Sequence, residues 1–147
     1  PEIKALRDVT SDHMREYASE LPGVIRKRAA HVVSENARVL ASVEALNQGQ
    51  VERFGDLMNQ SHDSLRDLYE VSCKELDILV NSARQVTGVY GSRMTGGGFG
   101  GCTVSLVADE ALGEFLDRVP REYEAQTGIN PDIYVCTPEA GAEILQG

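Results

Sequence analysis

The sequence predicts an α+β domain, with helices packed on one face of a mostly antiparallel sheet. Three observations predict it. Apolar residues recur at helical spacing through most of the stretch from Thr10 to Val86. Two runs with β-branched residues, one ending near Tyr90 and one over Cys102–Val107, flank a glycine-rich segment and read as strand, loop, strand. The whole order is helices, then strand, strand, helix, strand, which segregates the element types instead of alternating them. A length of 147 residues fits one domain over 1–147, large enough for a proper core.

Thr10 or Ser11 can cap a first short helix through Glu20, and Leu21-Pro22-Gly23 stops it. A long helix follows, with Ile25, Ala29, Val32, Val33, Leu40 and Val43 at helical spacing and Gln48-Gly49 as its end. Asn36 falls on that apolar face, and a buried amide there must find partners, so it reads as a structural lock. The next helix turns Val51, Phe54, Leu57, Met58, Leu65 and Leu68 inward. His62 lies between Met58 and Leu65 and reads as a hydrogen-bonded core or boundary residue. No second His or carboxylate stands at zinc spacing from it.

Ser72-x-x-Glu75 is a capping box for a fourth helix, with Leu76, Leu79, Val80, Ala83 and Val86 inward. Beyond the glycine loop, Asp109 can cap a helix to about Gln126, with Leu112, Phe115, Leu116 and Val119 as its stripe and Pro120 as a possible break. Thr127-Gly128-Ile129-Asn130-Pro131 is turn chemistry. Ile133-Tyr134-Val135-Cys136 is expected to be the last strand, and Thr137-Pro138-Glu139 to open a last helix.

Composition narrows the function classes. Hydrophobic content of 41% and charged content of 25% are ordinary for a soluble protein. A net charge of −9 argues against a nucleic-acid partner, because phosphate backbones are gripped by clustered Lys and Arg. No apolar run reaches bilayer length and no signal-peptide pattern opens the chain, so a membrane partner is not expected. Cys73, Cys102 and Cys136 are odd in number and lack metal spacing; they read as free, mostly buried thiols of a cytoplasmic protein.

The functional signal lies in Gly91-Ser92-Arg93-Met94-Thr95-Gly96-Gly97-Gly98-Phe99-Gly100-Gly101-Cys102. Gly96-x-Gly98-x-x-Gly101 satisfies the dinucleotide spacing, yet a strand follows it where that fingerprint needs a helix. A Walker loop needs Lys and Ser/Thr that are absent here, and no protein-kinase signature accompanies the loop. On composition alone, contact with a ligand and close backbone packing both stand as readings. Arg93 either adds positive charge beside the loop or forms a salt bridge.

The string Ser92–Val104 resembles the third signature of galactokinases, within the GHMP small-molecule kinase superfamily. Leu6–Thr10, His31–Arg38, Ser61–Asp67, Tyr69–Asp77 and Tyr134–Cys136 look like galactokinase segments in the same order, so the resemblance covers nearly the whole chain. Leu68 and Lys74 depart from the pattern, where a second acid and a proline are common. The resemblance implies a ferredoxin-like C-terminal GHMP kinase domain and transfer of the ATP γ-phosphoryl group to galactose, with Mg2+. It further implies that the backbone amides of Thr95, Gly96, Gly97, Gly98, Phe99, Gly100 and Gly101 form one wall of the ATP site, or order the phosphate loop of the other half beside it more than they touch ATP. The sugar signature, phosphate loop and catalytic Asp of such kinases lie in an N-terminal half with no counterpart here. That half is the expected partner, no catalytic or metal residue is assigned within 1–147, and the chain alone is expected to be inactive. A GHMP kinase for another sugar and a non-catalytic sugar and ATP sensor both remain open.

Overall fold

A computed structural model describes residues 3–139 and Gly141. Helix α1 (Ser11–Tyr17) starts at Thr10, whose Oγ1 accepts from the His13 backbone N–H at 3.2 Å while His13 Nδ1 accepts from the Thr10 N–H at 3.2 Å. This reciprocal cap uses an imidazole where a Glu or Gln side chain is usual. A 3-10 turn over Ala18–Glu20 leads past Pro22 into α2 (Gly23–Asn47), followed by α3 (Val51–Ser64). A π-helical turn, Leu65–Tyr69, widens the end of α3, and Glu70 reverses the chain with φ 59°. Helix α4 (Lys74–Arg84), strands β1 (Val89–Thr95) and β2 (Cys102–Val107), and α5 (Leu112–Thr127) complete the described elements.

The strands pair antiparallel, from Val89 opposite Val107 to Thr95 opposite Cys102, with an extra residue on β1 between Val89 and Gly91. Helix α3 lies across β1, α4 packs on both strands and on α5, and α2 packs outside α3. The α4–α5 core holds Ala83, Val86, Phe115 and Val119, with Leu79, Val89, Val107 and Ile133 against it. Burial of such side chains contributes roughly 1.5–3 kcal/mol each, which is why these spacings dictate the packing. Where α3 crosses β1, two backbones touch. A Cβ on Gly91 would lie 2.2 Å from the Gly55 carbonyl oxygen, and a Cβ on Gly55 2.2 Å from that of Tyr90.

The α+β architecture and the order of its helices agree with the sequence reading, and five details differ. First, α2 buries Ala29, His31, Val33 and Ala45, while Ile25, Val43 and Asn36 are exposed and Leu40 is 73% exposed. Apolar residues lie on more than one side of this helix, and those that are buried do not form the single stripe expected. Asn36 is therefore no buried lock. Second, α4 is capped at Cys73, and the Ser72 hydroxyl donates to Asp77 Oδ1 at 2.6 Å instead of closing a box with Glu75.

Third, Pro120 sits inside α5 without ending it, and Tyr123 takes the buried place expected of Leu116, which is exposed. Fourth, Ile133–Cys136 pairs with no strand: Ile133 packs on the core, but Tyr134 is 83% exposed. Without a ladder partner, two apolar residues in alternate positions do not make a strand. The helix expected from Thr137 falls largely outside the described residues. Fifth, Cys73, Cys102 and Cys136 are free thiols as expected, but Cys102 and Cys136 are exposed and Cys73 only half-buried. Cys102 opens β2 on the solvent side of the loop, and Cys136 lies in the unpaired tail.

Candidate functional site

The loop connecting β1 to β2 begins where Thr95 pairs with Cys102 and covers Gly96–Gly101. Such a tight reversal needs left-handed backbone, and Gly96, Gly98, Gly100 and Gly101 all have positive φ. Phe99 also has φ +61° and is 77% exposed, an unfavourable conformation and an unfavourable exposure for an aromatic residue. Outliers of this kind persist only where the surroundings hold them, and they cluster at functional sites.

The hold is visible. The Phe99 N–H donates to the Val71 carbonyl at 2.7 Å, and a Cβ on Gly98 would sit 2.1 Å from the same oxygen. Val71 is placed there by the π-helical turn and the left-handed Glu70. Glu70 accepts from Lys27 at 2.7 Å and Arg28 at 2.6 Å, and Arg28 also donates to the Leu68 carbonyl. These cations hold the Glu70 carboxyl below the usual carboxylate range, with Lys27 the larger cause. π-helical turns often mark functional positions, and this one sets the floor under the glycine loop.

The remaining glycines face outward. Nothing lies within 4 Å of a Cβ built at Gly96, Gly97, Gly100 or Gly101. Thr95, Gly96, Gly97, Phe99 and Gly101 are exposed. A cleft of about 310 Å³ runs beside Phe99, Gly100 and Gly101, with Cys73, Leu76 and Tyr123 on its other walls. An exposed turn made mostly of glycines leaves backbone N–H groups open to the approach of an anion. The sequence brought Thr95–Gly101 forward as one wall; in the fold they are contiguous in one turn, with Gly98 and the Phe99 N–H against Val71 and the Phe99 side chain exposed.

No group of three or more His, Cys, Asp or Glu among the described residues could hold a metal. Arg93 lies with Nη1 3.8 Å from Glu35 Oε1 and donates from Nε to the Met94 carbonyl at 3.0 Å, which is the salt-bridge reading of that residue. Glu35 also accepts from Ser61 at 2.6 Å and pairs with Arg38.

Behind the loop, His62 is fully buried and its Nδ1 accepts the Met94 backbone N–H at 3.2 Å. Burial lowers its pKa, with Arg84 acting in the same direction and Asp77 and Asp63 opposing, so the neutral imidazole is favoured. Its proton then sits on Nε2, which lies 3.2 Å from Asp77 Oδ1 without the alignment of a hydrogen bond. His31 is likewise buried, bonded to Ser64 at 2.8 Å and stacked on Tyr69 at 4.5 Å, and burial lowers its pKa.

Residues 42–125, more than half of the chain, match the family "GHMP kinases C terminal". The chain belongs to that family. It is 49% identical over 141 residues to a galactokinase of Roseiflexus sp. (strain RS-1), covering 96% of this chain and 36% of that protein. A galactokinase of Mannheimia succiniciproducens is 49% identical over 146 residues, covering 97% of this chain and 38% of its own length. The fold matches Lactococcus lactis galactokinase complexed with galactose at a TM-score of 0.85 and 37% identity, over 88% of this chain and 34% of that one. Against L. major mevalonate kinase in complex with R-mevalonate, the TM-score is 0.55 and the identity 26%, over 85% of this chain and 36% of that one. The chain thus spans little more than a third of the curated relatives it matches.

Residue-level reading of this GHMP kinase domain missed Val71 and Asp77 as supports of the loop, and did not foresee that His62 would meet Met94. The only sequence signal was that Tyr69–Asp77 and Ser61–Asp67 look like galactokinase segments. Which backbone a carbonyl or a buried imidazole will meet is decided by the crossing of α3 over β1, and no local pattern encodes it.

Proposed function

We propose that the protein carrying this chain is a galactokinase, transferring the γ-phosphoryl group of ATP to the anomeric hydroxyl of galactose. One observation carries this reading: the likeness to galactokinases, at a TM-score of 0.85, far exceeds that to a kinase of another substrate in the same superfamily, at 0.55. ATP supplies the phosphoryl group. The chain's own contribution is positioning: Thr95–Gly101 present backbone N–H groups to the polyphosphate or to a facing phosphate loop. In phosphoryl transfer most of the catalytic effect comes from such positioning and from dipoles aimed at developing negative charge. The catalytic base, the metal ligands and the sugar contacts belong to the remaining two-thirds of the protein, and the 147-residue chain by itself is inactive.

The test is to follow ADP release by the full-length protein with Mg-ATP and a panel of hexoses, and to repeat it with the isolated chain. The full-length protein is expected to turn over with galactose, and the chain alone not at all. Binding of galactose and ATP without turnover would make the protein a sensor, and preferred turnover of another sugar would move the substrate. Turnover by the isolated chain at an ordinary kinase rate would overturn the division of labour.

A further inference from the structure

Strand β1 has one edge paired with β2 and one edge facing α3, where no strand lies among the described residues. Backbone N–H groups on such an edge need acceptors when buried. Two of them find acceptors on one helix. The Ser92 N–H donates to Asn59 Oδ1 at 2.9 Å and the Met94 N–H to His62 Nδ1 at 3.2 Å. Asn59 and His62 are three apart on α3, hence on one face, while Ser92 and Met94 are two apart on β1, hence on one edge. The matching of these two periods lets a helix face stand in for a missing neighbouring strand. This close approach is possible because Gly55 and Gly91 meet backbone to backbone just beyond.

We propose that His62 is a positioning residue for the glycine loop, holding the Met94 N–H and thereby fixing where Thr95–Gly101 presents its amides to the nucleotide. The loop has a second anchor, the Phe99 N–H on the Val71 carbonyl, and both anchors return to one cluster. His62 faces Asp77, Asp77 accepts from Ser72, and Ser72 follows Val71 in the chain. The charged groups around His62 are Asp63 on α3, Arg66 on the π-helical turn, and Asp77 and Arg84 on α4. Arg84 is itself fixed by Asp63 at 3.0 Å, by the Asn59 carbonyl at 2.8 Å and by the Ser92 carbonyl at 3.2 Å. A neutral imidazole with a free Nδ1 lone pair is what this setting holds, and only that form accepts from Met94.

The inference rests on the galactokinase reading for its kinetic consequence and on geometry alone for its structural one. The test uses His62→Leu, His62→Gln, His62→Asn and Asn59→Leu in the full-length protein. Asn places its amide oxygen where Nδ1 stands, whereas Gln reaches toward the Nε2 position and leaves Met94 unpaired. Loss of the bond in the Leu and Gln variants is expected to raise the ATP KM about tenfold and to speed amide exchange at Met94–Gly101 about as much. The galactose KM stays within about twofold, His62→Asn within about threefold on every measure, and Asn59→Leu loses stability without moving the ATP KM.

Equal effects of all three His62 variants, or an Asn59→Leu variant matching His62→Leu in its ATP KM, would reduce His62 to a core residue. Faster loop exchange with an unmoved ATP KM would overturn the positioning role as well. Should His62→Leu fail to fold, the Gln and Asn pair carries the comparison. If the full-length protein does not phosphorylate galactose, the function reading fails; loop exchange in the same variants still decides whether His62 holds the loop.

Discussion

Two groups of glycines in this molecule do different things. Gly55 on α3 and Gly91 on β1 are packed together so closely that a Cβ on either would come within 2.2 Å of a backbone oxygen. Gly96, Gly97, Gly100 and Gly101 in the loop have open space where a Cβ would be. Gly98 is intermediate in kind: it belongs to the loop but is pressed on Val71. Glycine thus serves close approach in one place and an accessible backbone in the other. A composition count adds the two together, whereas their neighbours tell them apart.

The largest effect is expected at Gly91→Ala. The added methyl would meet the Gly55 oxygen at 2.2 Å and its C and Cα at 2.7 Å, and none of these can swing aside as a flexible side chain would. Helix α3 must lift from β1, which also stretches the Asn59–Ser92 and His62–Met94 bonds. Overpacking of this sort costs about 3 kcal/mol, and more where backbone must move. Urea unfolding should show a strongly lowered midpoint or no folded protein. A midpoint within error of the parent would show that the two backbones are not in contact, and the comparison would collapse.

Much of this was legible in advance. The spacing of Leu76, Val80, Ala83 and Val86 places α4 against the core because one stripe holds nearly all its apolar residues. The run Gly96–Gly101 between two β-branched segments reads as a hairpin for the same local reason. On α2 the reading failed, since Ile25, Leu40 and Val43 are apolar yet exposed. It failed again at Ile133–Cys136, where pairing depends on a neighbour and not on propensity. In the site, the loop was visible from its glycines and its resemblance. Its supports were not: His62 read only as a satisfied core histidine, and nothing local said that its partner would be Met94.

The second effect, at Gly98→Ala, tests the intermediate case. Gly98 has φ +82°, and its new Cβ would lie 2.1 Å from the Val71 oxygen, 2.9 Å from Val71 Cβ and 3.0 Å from Met94 Cε. Strain at one such residue is of order 1–3 kcal/mol, and the loop can relieve part of it by leaving Val71. Stability therefore falls less than for Gly91→Ala. The loop is displaced, however, and a displaced positioning loop should lower kcat/KM for ATP by about tenfold or more. Loss of stability with full specific activity would assign Gly98 to the packing group, with no part in the site.

The smallest structural effect and the sharpest functional one should come from Gly97→Ala. Gly97 has no positive φ among the described backbone angles, and nothing lies within 4 Å of its Cβ position. Alanine there also narrows the unfolded ensemble, which raises stability by about 0.4–1 kcal/mol where the backbone is compatible. The midpoint of unfolding should hold or rise slightly. A methyl group on the open side of the loop nonetheless stands where a phosphate or a facing loop must approach the backbone. The ATP KM of the full-length protein should then rise several-fold, about threefold to tenfold, for a contact displaced without strain in the free protein. Gly91→Ala and Gly97→Ala are in this way opposite in their effect on stability, which no shared role for the glycines could produce. An unmoved ATP KM in a stable Gly97→Ala protein would remove Gly97 from the site and narrow the wall to the residues around Phe99.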